Sequence, residues 1–312
     1  MTRICVSIIE EAPEAALEAA RKATGMGADM VEFRFDRMKQ LPSNFDLFRR
    51  IQVPKIATLR TVQQGGSFNG SEQDRLAFFR SAIRAGFEFI DLEHDSPLLG
   101  RTDTELKGAK VICSYHDLNA TPSAKAVVDI LVRCAAQADV PKAAFMVGSV
   151  SALLELVDAA RLFSFTEKEF SLIGMGELGE LTRICAPQMG IGFTYASLER
   201  GKEAAPGQVD LKTMKWLAGE RLITGIIGFP LSHTLSPAMH NAAFAALGLP
   251  GRYVVLPTQA HELETLMQVA VELDLRGFNV TIPHKQSIIP LLDRLDASAE
   301  RVGAVNTVLI EE

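Results

Sequence analysis

Short apolar segments alternate with helix-like segments along the first two thirds of the chain, and this alternation constrains the fold more than any other feature. Most of the segments are continuous apolar runs, which is typical of parallel strands covered by helices. Eight repeats of this unit favour a (β/α)8 TIM barrel over an open doubly wound sheet. The predicted strands are 3–9, 29–35, 54–60, 87–93, 109–115, 142–147, 170–175 and 191–195.

Helix signals stand between these segments. Ser71 is a good N-cap for a helix whose apolar residues Leu76, Phe79 and Ile83 recur every three or four positions. Thr121, followed by a proline, is predicted to cap a later helix in the same way.

A second, smaller unit follows a break at Gly219-Glu220-Arg221. Its segments again alternate between strand-like and helix-like patterns, so we expect a small α/β sandwich domain. We predict domains at residues 1–219 and 222–312. The predicted elements of the second are strands at 222–229, 252–256, 277–282 and 304–310 and helices at 237–247 and 261–274.

Composition and charge exclude several classes of protein. The 32 basic and 38 acidic residues give a net charge of −6, and no Lys/Arg cluster is present to neutralise nucleic-acid phosphates or an anionic membrane. No segment approaches the roughly 20 apolar residues of a membrane span. The four cysteines are widely spaced, and the N-terminus lacks a secretion signal, so we expect a reduced, cytoplasmic protein without nucleic-acid or membrane partners.

Polar side chains recur at the carboxyl ends of the predicted strands, where barrels gather their functional groups. Each alone has an ordinary explanation as an end-of-strand salt bridge or cap. Together they favour a site. These residues are Ser7, Glu32, Arg34, Arg60, Glu93, Ser114 and His116.

Lys142 lies in an otherwise apolar strand segment. If it points into the barrel, burial disfavours its charged form, and a neutral amine can attack a carbonyl to form a Schiff base. If it faces the other rim, it simply extends its amine to water. The spacing alone leaves both possibilities open.

Two further features have competing explanations. Arg183 follows the seventh predicted strand and could hold a carboxylate or form a surface ion pair. The segment 174–179 matches GxGxxG, but the next strand ends without the acidic residue of a dinucleotide site. We therefore reject dinucleotide binding there. The alternative use of its backbone amides is anion binding.

The first 210 residues resemble the type I 3-dehydroquinate dehydratases. The shared motifs are Glu32-Phe-Arg34-Phe-Asp36, Arg60 with Gly65-Gly66, Ser114-Tyr-His116-Asp117, Ala138-Asp-Val-Pro-Lys142, Met175-Gly-Glu-Leu-Gly-Glu-Leu-Thr-Arg183 and Ala205-Pro-Gly-Gln208.

The resemblance implies a lyase that converts 3-dehydroquinate to 3-dehydroshikimate in aromatic amino-acid biosynthesis. Lys142 would form an imine with the substrate ketone, and His116 would be the general acid/base. Arg183 would hold the carboxylate, while 197–208 would form a lid. No metal or cofactor is implied for this step. The other substrate-binding residues would be Ser7, Glu32, Arg34, Arg60 and Gln208.

Two positions depart from the family pattern. Gln64 stands where the family commonly has a glutamate that orients and charges the catalytic histidine. A neutral amide can only orient it, so we expect a shifted pH profile. Ala204 stands where a serine is usual, which removes one hydroxyl from the substrate site.

Residues 222–310 resemble the substrate-binding half of shikimate dehydrogenase. The motifs are 228–241, 279–285 and 303–307. The resemblance implies Lys285 as general acid/base. That family continues into an NADP-binding domain, and no nucleotide fingerprint follows residue 222, so we expect no hydride transfer by this chain alone. The implied ligands of shikimate or 3-dehydroshikimate are Thr234, Ser236, Thr281 and Asn306.

Other functions fit the same residues. A class I aldolase-like barrel would also use Lys142, and a non-catalytic sensor would bind pathway metabolites in both halves. An apolar face left without the NADP-binding domain predicts self-association. The expected partners are therefore small-molecule substrates and further copies of the chain.

Overall fold

The computed structural model describes residues 2–231 and 234–311, so Ser232 and His233 of the 228–241 motif lie outside the described residues. The first sheet is parallel and curls into a barrel, which confirms the predicted fold class. Its strand order is 7-6-5-4-3-2-1-8-9. The strands are β1 Arg3–Ile8, β2 Met30–Arg34, β3 Lys55–Thr58, β4 Phe89–Glu93, β5 Lys110–Asp117, β6 Val140–Met146, β7 Ser171–Met175, β8 Phe193–Ser197 and β9 Val209–Asp210.

The barrel closes differently from the rest of the sheet. The fully described strands β7 and β8 form no continuous ladder. The Gly192 amide instead donates to the Phe170 carbonyl at 2.9 Å, and the Ser171 hydroxyl donates to the Phe193 carbonyl at 2.9 Å. These two hydrogen bonds join the ends of the curled sheet into a seam.

Helices follow most of the strands on the outside of the barrel. Between β2 and β3 the connection is formed by short 3₁₀ turns, including Phe45–Arg50, in place of an α-helix. The barrel helices are α1 Pro13–Gly25, α2 Glu72–Arg84, α3 Thr102–Glu105, α4 Ala124–Ala135, α5 Val150–Ser164, α6 Glu180–Ile184 and α7 Leu211–Trp216.

The two capping predictions have different outcomes. Ser71 caps α2 in a capping box with Asp74, as predicted. The prediction for Thr121 is wrong, because its hydroxyl donates to the Met146 carbonyl at 2.8 Å instead. Ser123 occupies the N-cap position of α4.

Phenylalanines fill the space between β2 and the surrounding helices. Their rings meet mostly edge to face or tilted, with centroids 4.9–6.5 Å apart. Such a cluster buries a large hydrophobic area with defined ring geometry. It packs against the outer face of β2, while the polar residues of β2 face the inside of the barrel. The cluster comprises Phe33, Phe35, Phe45, Phe48, Phe78 and Phe87.

The second sheet has four strands in the order 11-10-12-13, of which only β13 is antiparallel. Its helix α8 contains no buried residue and exposes Met239 and Leu247. The strands are β10 Leu222–Gly228, β11 Gly251–Pro257, β12 Gly277–Val280 and β13 Thr307–Leu309. The helices are α8 Ser236–Leu247, α9 Leu263–Glu272 and α10 Ala297–Val302.

The two sheets are connected by side-chain contacts as well as by the chain. Helix α9 packs along α5. The carboxylate of Glu262, 2 % exposed, accepts hydrogen bonds from the Ser151 amide at 3.0 Å and its hydroxyl at 3.1 Å. The Arg252 guanidinium pairs with Glu180 at 2.6 Å. Because the buried Glu262 carboxylate accepts its hydrogen bonds from the first domain, it stabilises the contact between α5 and α9.

Among the described residues, no helix is both long and apolar enough to cross a membrane. All four cysteines, Cys5, Cys113, Cys134 and Cys185, are buried free thiols. Burial raises the pKa of the Cys185 thiol to about 12, which keeps it protonated and unreactive near neutrality.

Candidate active site

One cavity at the carboxyl ends of the barrel strands gathers the eight catalytic and substrate-binding residues that the family resemblance implies for the first domain. Alternate residues of a strand face the same side, so inward positions of β1, β2, β5 and β6 contribute polar side chains, and further polar side chains come from the segments after β3, β7 and β8. The residues that line it include Ser7, Glu32, Arg34, Arg60, His116, Lys142, Arg183 and Gln208.

Lys142 points into the barrel, which settles the alternative that the sequence left open. It is the third residue of β6 and is 4 % exposed. Its Nζ lies 2.9 Å from the Asp91 carboxylate and 3.8 Å from that of Glu32. Two carboxylates stabilise a buried ammonium, and the amine still lines the cavity.

Asp91 is a functional candidate that the sequence analysis missed. One of its carboxylate oxygens accepts from Arg60 at 2.8 Å and from the Ser114 hydroxyl at 2.6 Å, and the other faces Lys142. Burial opposes ionisation, but the Arg60 and Lys142 cations hold the pKa of Asp91 well below its usual range. Asp91 is therefore an anion that orients two cavity cations.

Glu32 is held by hydroxyl groups from the two neighbouring strands. One oxygen accepts from Ser7 on β1 and the other from Thr58 on β3, both at 2.9 Å. Ser7 also accepts a hydrogen bond from the Gln208 amide at 3.3 Å. The Ser7 and Gln208 side chains thus meet beside the Glu32 carboxylate.

His116 contacts an arginine instead of a carboxylate. Its Nδ1 lies 2.9 Å from the Arg60 guanidinium. Since arginine can only donate, Nδ1 accepts and the neutral ring carries its proton on Nε2. Burial, with the Arg60 and Lys142 cations, lowers the pKa of His116 well below 6.5. The ring is therefore neutral near neutrality.

The turn after β3 positions Arg60 and depends on two glycines. Gly65 has φ 77°, a left-handed conformation that glycine adopts without strain. A Cβ on Gly66 would overlap the Arg60 carbonyl. Gln64 lines the cavity, and its amide donates to Asp95 at 3.4 Å.

Glu93, another strand-end candidate, supports this turn from behind. Its carboxylate accepts from the Thr61 amide at 3.0 Å and pairs with Arg75, a residue of α2 that is 1 % exposed. Glu93 is thus an internal support for the segment that carries Arg60.

Arg183 is a buried guanidinium without an acidic counterion in the described part of the chain. It donates to the carbonyl groups of Gly174, Gly179 and Pro206, and its Nε has no partner there. Burial lowers the pKa of Arg183 to about 10. A desolvated cation in a cavity favours an anionic ligand. Arg34 differs, because its Nε and Nη2 donate to the two carboxylate oxygens of Asp36, each at 2.8 Å.

The GxGxxG segment is occupied by the protein itself. A Cβ on Gly179 would overlap the backbone of Gly174, and one on Gly207 would overlap the Gly176 carbonyl. The Gly176 amide donates to the Pro206 carbonyl at 3.2 Å. These glycines allow backbone packing around Arg183, and they leave no room for a dinucleotide.

Tyr195 was also missed, because an aromatic residue at the end of the predicted strand 191–195 has an ordinary explanation as part of the core. It is 4 % exposed, and its ring centroid lies 4.3 Å from the Lys142 Nζ. Its hydroxyl has no hydrogen-bond partner among the described residues. The only signal in the sequence was its inward position between Phe193 and Ser197.

The predicted residues of the second domain gather at one edge of the second sheet. Thr281 follows β12, and Asn306 precedes the antiparallel β13, so both lie at the edge where β10 ends. The Lys285 carbonyl accepts a hydrogen bond at 2.8 Å from the amide of Val305, the residue before Asn306. Thr234 Oγ1 accepts from the Ser236 amide at 3.2 Å at the start of α8.

A hydrogen-bonded cluster at the same edge escaped the sequence analysis. The Tyr253 hydroxyl donates to Asn279 at 2.6 Å, and Asn279 donates to Thr307 at 3.1 Å. The ring of His240 stacks on Tyr253 with centroids 4.2 Å apart. These contacts join the start of α8 to β11, β12 and β13.

The fold and the cavity define a (β/α)8 barrel of the enzyme type, with a buried lysine and a buried arginine that has no acidic partner among the described residues. Residues 4–218 match the family model described as Type I 3-dehydroquinase. The chain belongs to this family. Residues 226–308 match the model described as Shikimate dehydrogenase substrate binding domain.

Individual relatives agree with this classification. A chloroplastic bifunctional 3-dehydroquinate dehydratase/shikimate dehydrogenase of Arabidopsis thaliana is 32 % identical over 98 % of this chain, which spans 52 % of that protein. A 3-dehydroquinate dehydratase of Methanocaldococcus jannaschii is 34 % identical over 68 % of this chain and 96 % of its own. A solved structure of dehydroquinate dehydratase and shikimate dehydrogenase from S. pombe AroM has 28 % identity and a TM-score of 0.60, covering 99 % of this chain and 62 % of that one.

Proposed function

We propose that the barrel dehydrates 3-dehydroquinate to 3-dehydroshikimate through an imine on Lys142. The observation that carries the proposal is the Lys142 amine, buried on the cavity floor beside two carboxylates. An iminium withdraws electrons from the neighbouring carbon, so this chemistry needs no further electron sink. Family membership favours this reaction over the aldolase alternative.

Arg183 is the proposed ligand of the substrate carboxylate. It is the cavity's guanidinium without an acidic partner in the described residues, whereas Arg34 and Arg60 are paired. A planar guanidinium suits a carboxylate because two parallel N–H groups can donate to it. The proposed ligands of the substrate hydroxyl groups are Ser7, Glu32, Arg34, Arg60 and Gln208.

His116 is the proposed proton carrier. Its lone pair at Nδ1 is engaged by Arg60, so it becomes available when substrate hydroxyl groups take over the Arg60 donors. The ring then removes the proton next to the iminium carbon and returns it to the leaving hydroxyl, which departs as water. Hydrolysis of the imine releases the product and restores Lys142.

The decisive experiment traps the imine. The protein is incubated with 3-dehydroquinate, reduced with borohydride and digested, and the added mass is located by peptide mass spectrometry. We expect the mass on Lys142, with 3-dehydroshikimate formed before reduction. The Lys142→Met variant should neither trap nor turn over the substrate.

Lys55 offers a matched control. It is also 4 % exposed in a barrel strand, but it pairs with Glu88 at the opposite end of the barrel. The Lys55→Met variant should trap normally. A folded wild-type protein that binds 3-dehydroquinate without adduct or product would contradict the enzyme proposal and favour the metabolite sensor.

We propose further that residues 222–312 form a separate domain that binds shikimate or 3-dehydroshikimate. The support is the gathering of Thr281, Asn306 and the Lys285 turn at one sheet edge, with Thr234 and Ser236 at the start of α8. Lys285 would be its general acid/base. Hydride transfer from NADP lies outside this proposal, and the cytoplasmic location stays a prediction.

Calorimetric titration with shikimate tests the second domain separately. A Lys142→Met background removes turnover in the barrel, and adding Thr281→Val or Asn306→Ala should weaken the remaining binding about tenfold, one hydrogen bond each. Equal shikimate affinity in all three variants would contradict the proposed site.

A further inference from the structure

We propose that Tyr195 is a further catalytic residue of the barrel, whose hydroxyl donates a hydrogen bond to the oxygen of the substrate ketone as Lys142 attacks. The inference rests on the proposed imine chemistry and adds to it a donor that neither the motifs nor the family match assigns.

The first argument is that the Tyr195 hydroxyl is buried without a partner. The residue is 4 % exposed and lines the cavity, yet its oxygen contacts no hydrogen-bonding group in the ranges that the structure describes. Phe193, two residues earlier on the same face of β8, packs beside Tyr195 with ring centroids 5.6 Å apart. A phenylalanine would therefore fill the Tyr195 site equally well, so packing alone does not explain the hydroxyl.

The second argument is position. The Lys142 Nζ lies 4.3 Å from the Tyr195 ring centroid, so the nucleophile and the phenol share one side of the cavity. When an amine adds to a ketone, the carbonyl oxygen stays bonded to the attacked carbon, two bonds from the nitrogen. The developing negative charge thus appears close to this ring.

The third argument is that the donors of Arg60 and Ser114 are already engaged. Arg60 donates to Asp91 and contacts Ser114 and His116, and Ser114 donates to Asp91. Burial, with the Glu32 carboxylate, raises the pKa of Tyr195 well above 10, so the phenol keeps its proton. A neutral donor already in place is what stabilises a developing oxyanion without reorganisation.

The step balances without an added reagent. The Lys142 ammonium first gives one proton to solvent water. The lone pair of the resulting neutral amine then forms the N–C bond, and the C=O π pair moves to oxygen. The proton that the nitrogen gives up ends on this oxygen, which yields the carbinolamine. Tyr195 donates a hydrogen bond throughout and remains a phenol.

The test is the rate of imine trapping in Tyr195→Phe, which keeps the ring and removes the hydroxyl. Single-turnover trapping by borohydride should slow about 10- to 100-fold, below the 100- to 1000-fold loss of a full oxyanion-hole donor. KM should change less than twofold, and Tm should stay level, because the lost hydroxyl has no partner. Tyr115→Phe, a partly buried tyrosine of β5, is the matched control and should trap at the wild-type rate.

The outcomes separate this inference from the proposed function. A Tyr195→Phe variant that traps as fast as wild type would overturn the role of the hydroxyl while leaving the imine proposal intact. Slow trapping together with a lowered Tm would assign Tyr195 a packing role and overturn it as well. Absence of trapping in wild type would instead contradict the imine itself.

Discussion

Replacing Asp91 with asparagine tests the charge arrangement beneath the cavity. The variant keeps the size of the side chain but leaves Arg60 without a carboxylate, and Lys142 with Glu32 alone, at 3.8 Å. Removing one partner of a buried ion pair costs about 3–5 kcal/mol. With a urea m-value of about 3 kcal/mol/M for a chain of this size, the unfolding midpoint should fall by about 1–1.7 M.

The effect of Asp91→Asn should depend on pH with a defined sign. The cations around Asp91 lower its pKa in the folded state, so its carboxylate stabilises the fold fully above the unfolded pKa of about 3.9. This contribution is lost as pH falls further, by about 1.4 kcal/mol per pH unit. The difference in the free energy of unfolding between wild type and variant should therefore be constant from pH 7 to 5. At pH 3 this difference should be smaller by about 1 kcal/mol.

Fluorescence of Trp216, the single tryptophan, follows barrel unfolding in urea. Asp95→Asn is the control, because this exposed carboxylate lies four residues away and should shift the unfolding free energy by less than 0.5 kcal/mol. A double-mutant cycle with Lys142→Met should give a coupling of about 1–3 kcal/mol. An unchanged midpoint in Asp91→Asn, or a coupling of zero, would refute the reasoning.

Three other changes test separate parts of the molecule. Gln64→Glu should raise the lowered pKa of His116, because a carboxylate favours the imidazolium. The acid limb of the pH profile of kcat/KM should therefore move up by about one pH unit. An unchanged acid limb would argue against an interaction between the side chain at position 64 and His116. Arg183→Met should raise KM for 3-dehydroquinate about 100-fold with a smaller loss in kcat, and equal loss in both would argue against carboxylate binding. Glu262→Gln should lower Tm by about 3–6 °C as the hydrogen bonds to Ser151 weaken, while the conservative Glu264→Gln on the exposed side of α9 should leave Tm unchanged.

Much of the fold could be predicted because buried parallel strands leave a direct trace in the sequence. The strand predicted at 87–93 and the observed strand Phe89–Glu93 agree in position and in their apolar character. The strand end is harder to place, since hydrogen bonding extends beyond the apolar run. β8 runs to Ser197, two residues past the predicted end at Tyr195.

Site residues were predictable where a polar side chain interrupts or ends an apolar run. They were not predictable where their role depends on ion pairs with residues on other strands. Lys142 interrupts an apolar run, and His116 closes one. Asp91 lies inside the predicted strand 87–93 without a prediction of its own, although its spacing of two from Glu93 puts both on the inner face. Its importance comes from Arg60 and Lys142 on other strands, and no local pattern records that contact.

The seam between β7 and β8 has a consequence for how a ligand reaches the cavity. The segment after β7 carries Arg183, and the segment after β8 carries Gln208. Above the seam they are joined through the Pro206 carbonyl, which accepts from Gly176 and Arg183. Separating them breaks two hydrogen bonds, about 1–3 kcal/mol, whereas opening any other side of the barrel would disrupt a ladder. The segments that carry Arg183 and Gln208 are therefore the ones above the barrel that can part with the fewest hydrogen bonds lost.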